Sequence, residues 1–162
     1  MEVRRIRSTD LESFFALWQG VFDEGVYLRS PPPPKEKISF VLKKIEEKKI
    51  PQFVAEIDGK IVGSIEAFPG KMCGMESDDI GFVGAQVHAD FRRLGIGRKL
   101  LDAVILDSKR FGYKELNLEV YSSNLPAQKL YQAFGFEYSG QANEITLPSG
   151  KTEQSSKMRL II

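Results

Sequence analysis

Arg92, Gly95 and Gly97, followed at once by Arg98 and Lys99, are the residues whose types and spacing speak most directly of chemistry. They sit where a strand ending at Val87 meets the start of a helix. Val83, Ala85 and Val87 alternate with Gly84, Gln86 and His88 as in a strand, and apolar residues at helical spacing begin at Ile96. Glycines let backbone amides come close to a ligand, and a helix N-terminus offers unpaired N–H donors and the positive end of its dipole. The anion that suits such a terminus best is phosphate. Taken alone, the run is equally an ordinary basic loop whose glycines serve only the turn.

Two familiar phosphate loops are excluded by position. A Walker loop needs Lys-Ser or Lys-Thr after its last glycine, where this chain has Arg98 and Lys99. A dinucleotide fingerprint needs a small residue in place of Leu100 and a chain opening on a βαβ unit. What remains, Arg92-x-x-Gly95-x-Gly97, resembles the pyrophosphate loop of the GNAT superfamily of N-acetyltransferases, which binds acetyl-coenzyme A. A second run, Asn124-x-x-Ala127-x-x-Leu130-Tyr131-x-x-Phe134-Gly135-Phe136, resembles the segment that follows that loop in the same superfamily. The likeness extends from Val3 to Phe136 and is strongest from Val83 onward.

The resemblance implies acetyl-coenzyme A as co-substrate and no metal. The amides of Arg93, Leu94, Gly95, Ile96, Gly97 and Arg98 would surround the pyrophosphate beside Arg92, and the strand end at Val87 would bond the pantetheine arm. Asn124, Ala127 and Tyr131 would stand on the cofactor side of the second run. The implied reaction is direct acetylation of a primary amine, on a peptide N-terminus or a small molecule, with a catalytically silent acyl-coenzyme A sensor as the alternative.

Tyr131 matches the family's general acid, a phenol of pKa near about 10 that can protonate a departing thiolate. On residues alone, an aromatic at helical spacing belongs to a core. Glu119 is the candidate base. It points away from the apolar face of Leu116, Leu118 and Val120, and its position twelve residues before Tyr131 resembles the ribosomal-protein alanine acetyltransferase branch. A solvated strand face is the simpler account of the same residue. Three positions depart from the family. The glutamate base of histone-type members falls near Gly81, with Asp78 and Asp79 only adjacent; a common proline is Ala89; and a loop glycine is Arg93.

The elements that must position these residues follow from periodicity and punctuation. Val3 to Ile6 reads as a strand, and Thr9 with Glu12 as a capping box for a helix running to Gly25. Pro31 to Pro34 hold the backbone extended, and Lys35 to Lys49 returns to helical spacing until Pro51. Gln52–Ile57 and Lys60–Phe68 alternate around Asp58-Gly59, a hairpin signal. Gly70 to Asp79 reads as a loop of unreadable function. A helix from Ile96 to Gly112 joins the phosphate turn to a strand at Leu116–Val120, which that crossover makes a parallel neighbour. Asn124 caps a helix ending at Gly135, and strand segments follow at Phe136–Tyr138, Glu144–Leu147 and Met158–Ile162.

Length and composition agree with one α/β domain, residues 1–162. With the resemblance, the expected architecture is a GNAT-like mixed, mostly antiparallel sheet with a central splayed parallel strand pair and about four helices. The 23 basic and 22 acidic side chains nearly cancel, so no global field favours nucleic acid or a membrane surface. No run approaches the roughly 20 apolar residues of a membrane span, and no signal peptide opens the chain, which points to the cytoplasm. A homodimer is left open. Cys73, the lone cysteine, rules out an internal disulfide, and His88, the lone histidine, argues against zinc clusters while keeping interest from its place beside the loop.

Overall fold

The alternating and helical periodicities resolve into seven strands and four helices. The structure is a computed structural model that describes residues 1–162, the side chain of Ala142 excepted. In chain order, β1 (Glu2–Arg5) leads to α1 (Leu11–Asp23) and α2 (Lys35–Lys48), then to the hairpin of β2 (Gln52–Ile57) and β3 (Lys60–Pro69). β4 (Ile80–Val87), α3 (Ile96–Phe111) and β5 (Glu115–Tyr121) form the crossover. α4 (Leu125–Ala133), β6 (Glu137–Thr146) and β7 (Thr152–Ile161) complete the chain.

All seven strands form one sheet in the order β1-β2-β3-β4-β5-β7-β6. Every neighbouring pair is antiparallel except β4 and β5, which run parallel as the α3 crossover requires. The expected mixed sheet with a parallel central pair is therefore present. The β4–β5 ladder holds only from Ile80↔Glu115 to Phe82↔Asn117. Beyond that point, among the described residues, the two strands run on to Val87 and Tyr121 without pairing and open a wedge.

Glycine explains why the closed end of the wedge can close. A Cβ at Gly81 would lie 2.7 Å from the Tyr113 ring and 2.8 Å from Leu116. The Tyr113 hydroxyl then donates to the Ala67 carbonyl at 2.8 Å, tying the zipped end across β3. A glutamate could not stand at Gly81 without displacing that ring.

Strand alternation sends neighbouring residues to opposite cores. Val54 and Ile61 pack with Phe14, Leu17 and Val21 of α1 and Ile38, Leu42 and Ile45 of α2. Ala55, Val62, Ile65 and Val83 pack with Ile96, Leu100 and Val104 of α3, against which Ala127, Leu130 and Tyr131 of α4 also rest. Leu100 is fully buried, so its truncation to Ala costs about 2–5 kcal/mol.

Three local expectations are corrected. The turn before α1 is a 3-10 turn over Ser8–Asp10, where the Asp10 carboxylate accepts the Arg7 amide at 2.8 Å, so Thr9 and Glu12 make no capping box. Arg4 donates to that same carboxylate and to Glu56, which fixes Asp10 as the anchor. The segments at Phe136–Tyr138 and Glu144–Leu147 belong to one strand, β6, interrupted by register shifts. The terminal strand begins at Thr152, not Met158, because a polar stretch can still complete a ladder beside β5. Among the described residues, no helix is long and apolar enough to cross a membrane.

Candidate active site

The basic turn takes the shape that its glycines were expected to allow. Gly95 adopts φ 80° as the N-cap of α3, and Arg93 adopts φ 65°, so the position where the family carries glycine reaches the left-handed region with a side chain attached. That conformation costs an L-residue roughly 1–2 kcal/mol. The first bond into the helix is donated by the Lys99 amide to the Gly95 carbonyl at 3.2 Å. Among the described residues, the amides of Arg93, Leu94, Gly95, Ile96, Gly97 and Arg98 have no partner within the protein. They form the donor set an anion requires. Gly97 is cradled by α4: a Cβ there would lie 3.2 Å from Leu130 Cδ2.

The cations divide into two kinds. Arg92 is spoken for: its Nε donates to the Val87 carbonyl at 2.9 Å, and its two terminal nitrogens donate to the Glu24 carboxylate at 2.7 and 2.5 Å. Its guanidinium also lies 4.5 Å from the Tyr27 ring centroid. These bonds tie the end of α1 to the turn and raise the Arg92 pKa further. Arg93 and Arg98, by contrast, form no ion pair among the described residues. Arg98 rests over the Phe134 ring, at 5.2 Å from its centroid.

The turn opens onto a cavity of about 1080 Å³ that passes through the sheet at the wedge. On the α3 and α4 side it is lined by Val87, Ile96, Gly97, Arg98, Ala127 and Tyr131. On the α1 and α2 side it is lined by Phe14, Trp18, Val41, Ile45, Phe68 and Phe82. The structure thus brings Val87, Arg92, Arg93, Gly95, Ile96, Gly97, Arg98, Glu119, Asn124, Ala127 and Tyr131 to one cavity, while the Leu94 side chain stays exposed outside its lining.

Asn124 caps α4 as its spacing indicates, its Oδ1 accepting the Ala127 amide at 3.3 Å. That cap sets the first turn of the helix carrying Tyr131, whose ring packs on Phe136 at 5.6 Å between centroids. Burial, with the charge of Glu66 adding to it, pushes the Tyr131 phenol up to about 12. It therefore holds its proton at any ordinary pH. Glu119 is exposed on β5, opposite Lys157 of β7, and lines the cavity from the α1 and α2 face.

His88 has a local task. Its Nδ1 accepts the Asp90 amide at 3.2 Å and its ring packs edge-on against Phe91, capping the turn that follows β4. Among the described residues, no group of three or more His, Cys, Asp or Glu gathers as a metal site would require.

One residue escaped the sequence reading altogether. Glu66, in the middle of β3, lines the cavity, and burial pushes its carboxyl up to about 8. The available signal was a lone charged residue in the run Ile61 to Phe68, which hairpin alternation explains away as an outward face.

Residues 11–136 match the model of the Acetyltransferase (GNAT) family. The "Probable N-acetyltransferase camello" of Xenopus tropicalis is 30% identical over 122 residues, covering 75% of this chain and 54% of that protein. The chain spans about half the length, or less, of the camello proteins and the N-acetyltransferase 8 that it matches. Among solved structures, a ribosomal-protein-alanine N-acetyltransferase from Brucella melitensis superposes with a TM-score of 0.87 at 21% identity, covering all of both chains. The putative acetyltransferase yncA from Salmonella typhimurium, solved with its cofactor acetyl-CoA, superposes at 0.84 and 17% identity over 99% of this chain and 92% of that one. At such identities these two structures establish likeness of fold.

Proposed function

The chain belongs to the Acetyltransferase (GNAT) family, and from that footing we propose that it transfers the acetyl group of acetyl-coenzyme A directly to the primary amine of an acceptor. The observation that carries this reading is the set of unpartnered amides from Arg93 to Arg98 at the mouth of the wedge, with Arg93 and Arg98 free of ion pairs beside them. Six such donors, two cations and a helix dipole fit a diphosphate, and Gly97 lets Leu130 of α4 pack close beside them.

Bound there, acetyl-coenzyme A would supply an activated acetyl group as a thioester. The unpaired edge of β4 up to Val87 would hold the pantetheine arm, so backbone sets the position of the reacting carbon. Arg92 would act through Glu24, holding the turn against α1. Tyr131 would give its proton to the departing sulfur, while Glu119, on the other face of the wedge, would take a proton from nitrogen as the new bond forms. A peptide N-terminus and a small-molecule amine both suit this chemistry. The spacing of Glu119 and Tyr131 supports the peptide. A cytoplasmic setting belongs to the same proposal, since the free thiol of Cys73 is exposed and suits a reducing compartment.

The test is amine-dependent release of coenzyme A thiol by the purified chain. Turnover that falls by about a hundredfold or more in Tyr131→Phe, with acetyl-coenzyme A still bound, supports the enzyme. Binding without thiol release over peptide and small-amine panels would leave a silent acyl-coenzyme A binder instead.

A further inference from the structure

β3 sends Ile65 and Ala67 into the core beneath α3 and Glu66 to the opposite face, under α1 and α2. There Glu66 stands in a row across three strands, with Gln52 of β2 on one side and Gly84 of β4 on the other. A Cβ at Gly84 would collide with Glu66 Oε1, so the carboxylate leans over the glycine toward the wedge. Among the described residues Glu66 has neither a hydrogen bond nor an ion pair.

Its neighbours are equally unsatisfied. Gln52 is only 2% exposed, lines the cavity, and leaves Oε1 buried without a partner. Gln86, two residues beyond Gly84 on the same face of β4, also lines the cavity with an unpartnered buried Oε1. Buried acceptors without donors are unfavourable in a folded chain and call for an explanation. Two such acceptors, from β2 and β4, flank the half-buried Glu66 of β3 in one chamber whose walls include Phe14, Trp18, Val41, Ile45, Phe68 and Phe82.

The complement to three oxygens is a group with three donors and a positive charge, which describes a primary ammonium. The complement to the walls is an apolar body. We propose that Glu66, flanked by the amide oxygens of Gln52 and Gln86, receives the ammonium of the acceptor and removes its first proton, while the walls from α1 and α2 select an amine borne on an aromatic or branched apolar body. This inference rests on the acetyl-transfer reading and adds the acceptor's class to it.

The protons balance. The ammonium gives one proton to Glu66 and exposes its lone pair. As the C–N bond forms and the C–S bond breaks, the second proton passes to Glu119 and Tyr131 protonates sulfur. Solvent resets all three groups, leaving an amide, a thiol and one released proton. A carboxyl pushed up to about 8 by burial is matched to deprotonating an amine near neutrality. Tyr131 from α4 and Cys73 from the turn after β3 respond to its charge. Glu119 and Tyr121 of β5, Lys37 of α2, Tyr27 and Arg29 after α1, and Arg92 of the turn after β4 are the other titratable groups on this side of the cavity.

The experiment compares 2-phenylethylamine, a tripeptide beginning with Phe and spermidine as acceptors, with acetyl-coenzyme A affinity measured on each variant by calorimetry. The first two should exceed spermidine in kcat/KM by about tenfold or more, and whichever is better identifies the source of the amine. Glu66→Gln should lose about a hundredfold in kcat/KM while binding acetyl-coenzyme A within about twofold of wild type, which also reports that it is folded. Glu47→Gln, exposed on α2, should match wild type. Full turnover in Glu66→Gln, a preference for spermidine, or thiol release with none of the three amines would overturn the inference and leave cofactor binding intact. A wild-type chain that does not bind acetyl-coenzyme A would overturn the acetyl-transfer reading itself.

Discussion

Gly84 lies directly across the β3–β4 ladder from Glu66, and the room that a side chain would fill at Gly84 is the room the Glu66 carboxylate uses. The reach of the acid toward the wedge and the smallness of its neighbour are therefore one structural fact.

Gly84→Ala should push the carboxylate aside without straining the backbone, since Gly84 does not occupy the left-handed region. The expected outcome is a fall of about tenfold in kcat/KM for the amine, with acetyl-coenzyme A affinity little changed and stability altered by no more than about 1–2 kcal/mol. Steady-state kinetics with the amine varied, beside calorimetry with acetyl-coenzyme A, separates the two effects. Undiminished turnover would mean that the carboxylate works from elsewhere.

The buried acid also leaves a mark on stability. Glu66 rises from its ordinary 4.5 to about 8 on folding, so between those values the native state keeps a proton that the unfolded chain has released. Native stability should fall as pH rises through that window and level off above it. At about 1.4 kcal/mol for each pKa unit, and allowing for water in the cavity, the loss is about 1–3 kcal/mol. Glu66→Gln should abolish that slope, so that urea unfolding at pH 5 and pH 8.5 converges for the variant and diverges for the wild type. Parallel behaviour of the two proteins would contradict it.

The fork of Arg92 onto Glu24 joins residues far apart in sequence, and both side chains are about a quarter exposed, at 28% and 25%. A double-mutant cycle with Arg92→Ala and Glu24→Ala should give a coupling of about 1–2 kcal/mol, above the usual surface pair because the fork is bidentate and stacked on Tyr27. Both single variants should weaken acetyl-coenzyme A binding through the turn they hold. A coupling near zero would make the pair incidental.

The geometry of the proposed cofactor turn was legible because it is local. The glycines, the basic residues and the helix start at Ile96 lie within a few positions of one another, and their spacing alone dictates free amides. Asn124, Tyr131 and the α3 crossover were legible for the same reason. The acceptor half was not, because it is assembled across the sheet: Gln52, Glu66 and Gln86 belong to three strands, and nothing in linear alternation distinguishes an acid facing solvent from one roofed by α1 and α2. The same limit explains Thr9, whose capping role is pre-empted by Asp10 through Arg4 and Glu56 of a distant strand. The pairing of Arg92 with Glu24 joins residues far apart in sequence, which spacing cannot show.

The most direct measurement is a titration of acetyl-coenzyme A into wild type, Arg98→Glu and Gly97→Leu by calorimetry. If amides at the head of α3 grip the diphosphate, wild type binds and each variant, still folded by circular dichroism, loses about tenfold or more in affinity, one from charge and one from a side chain driven toward Leu130. Equal affinity in all three proteins, or no binding by the wild type, would contradict the account at its foundation.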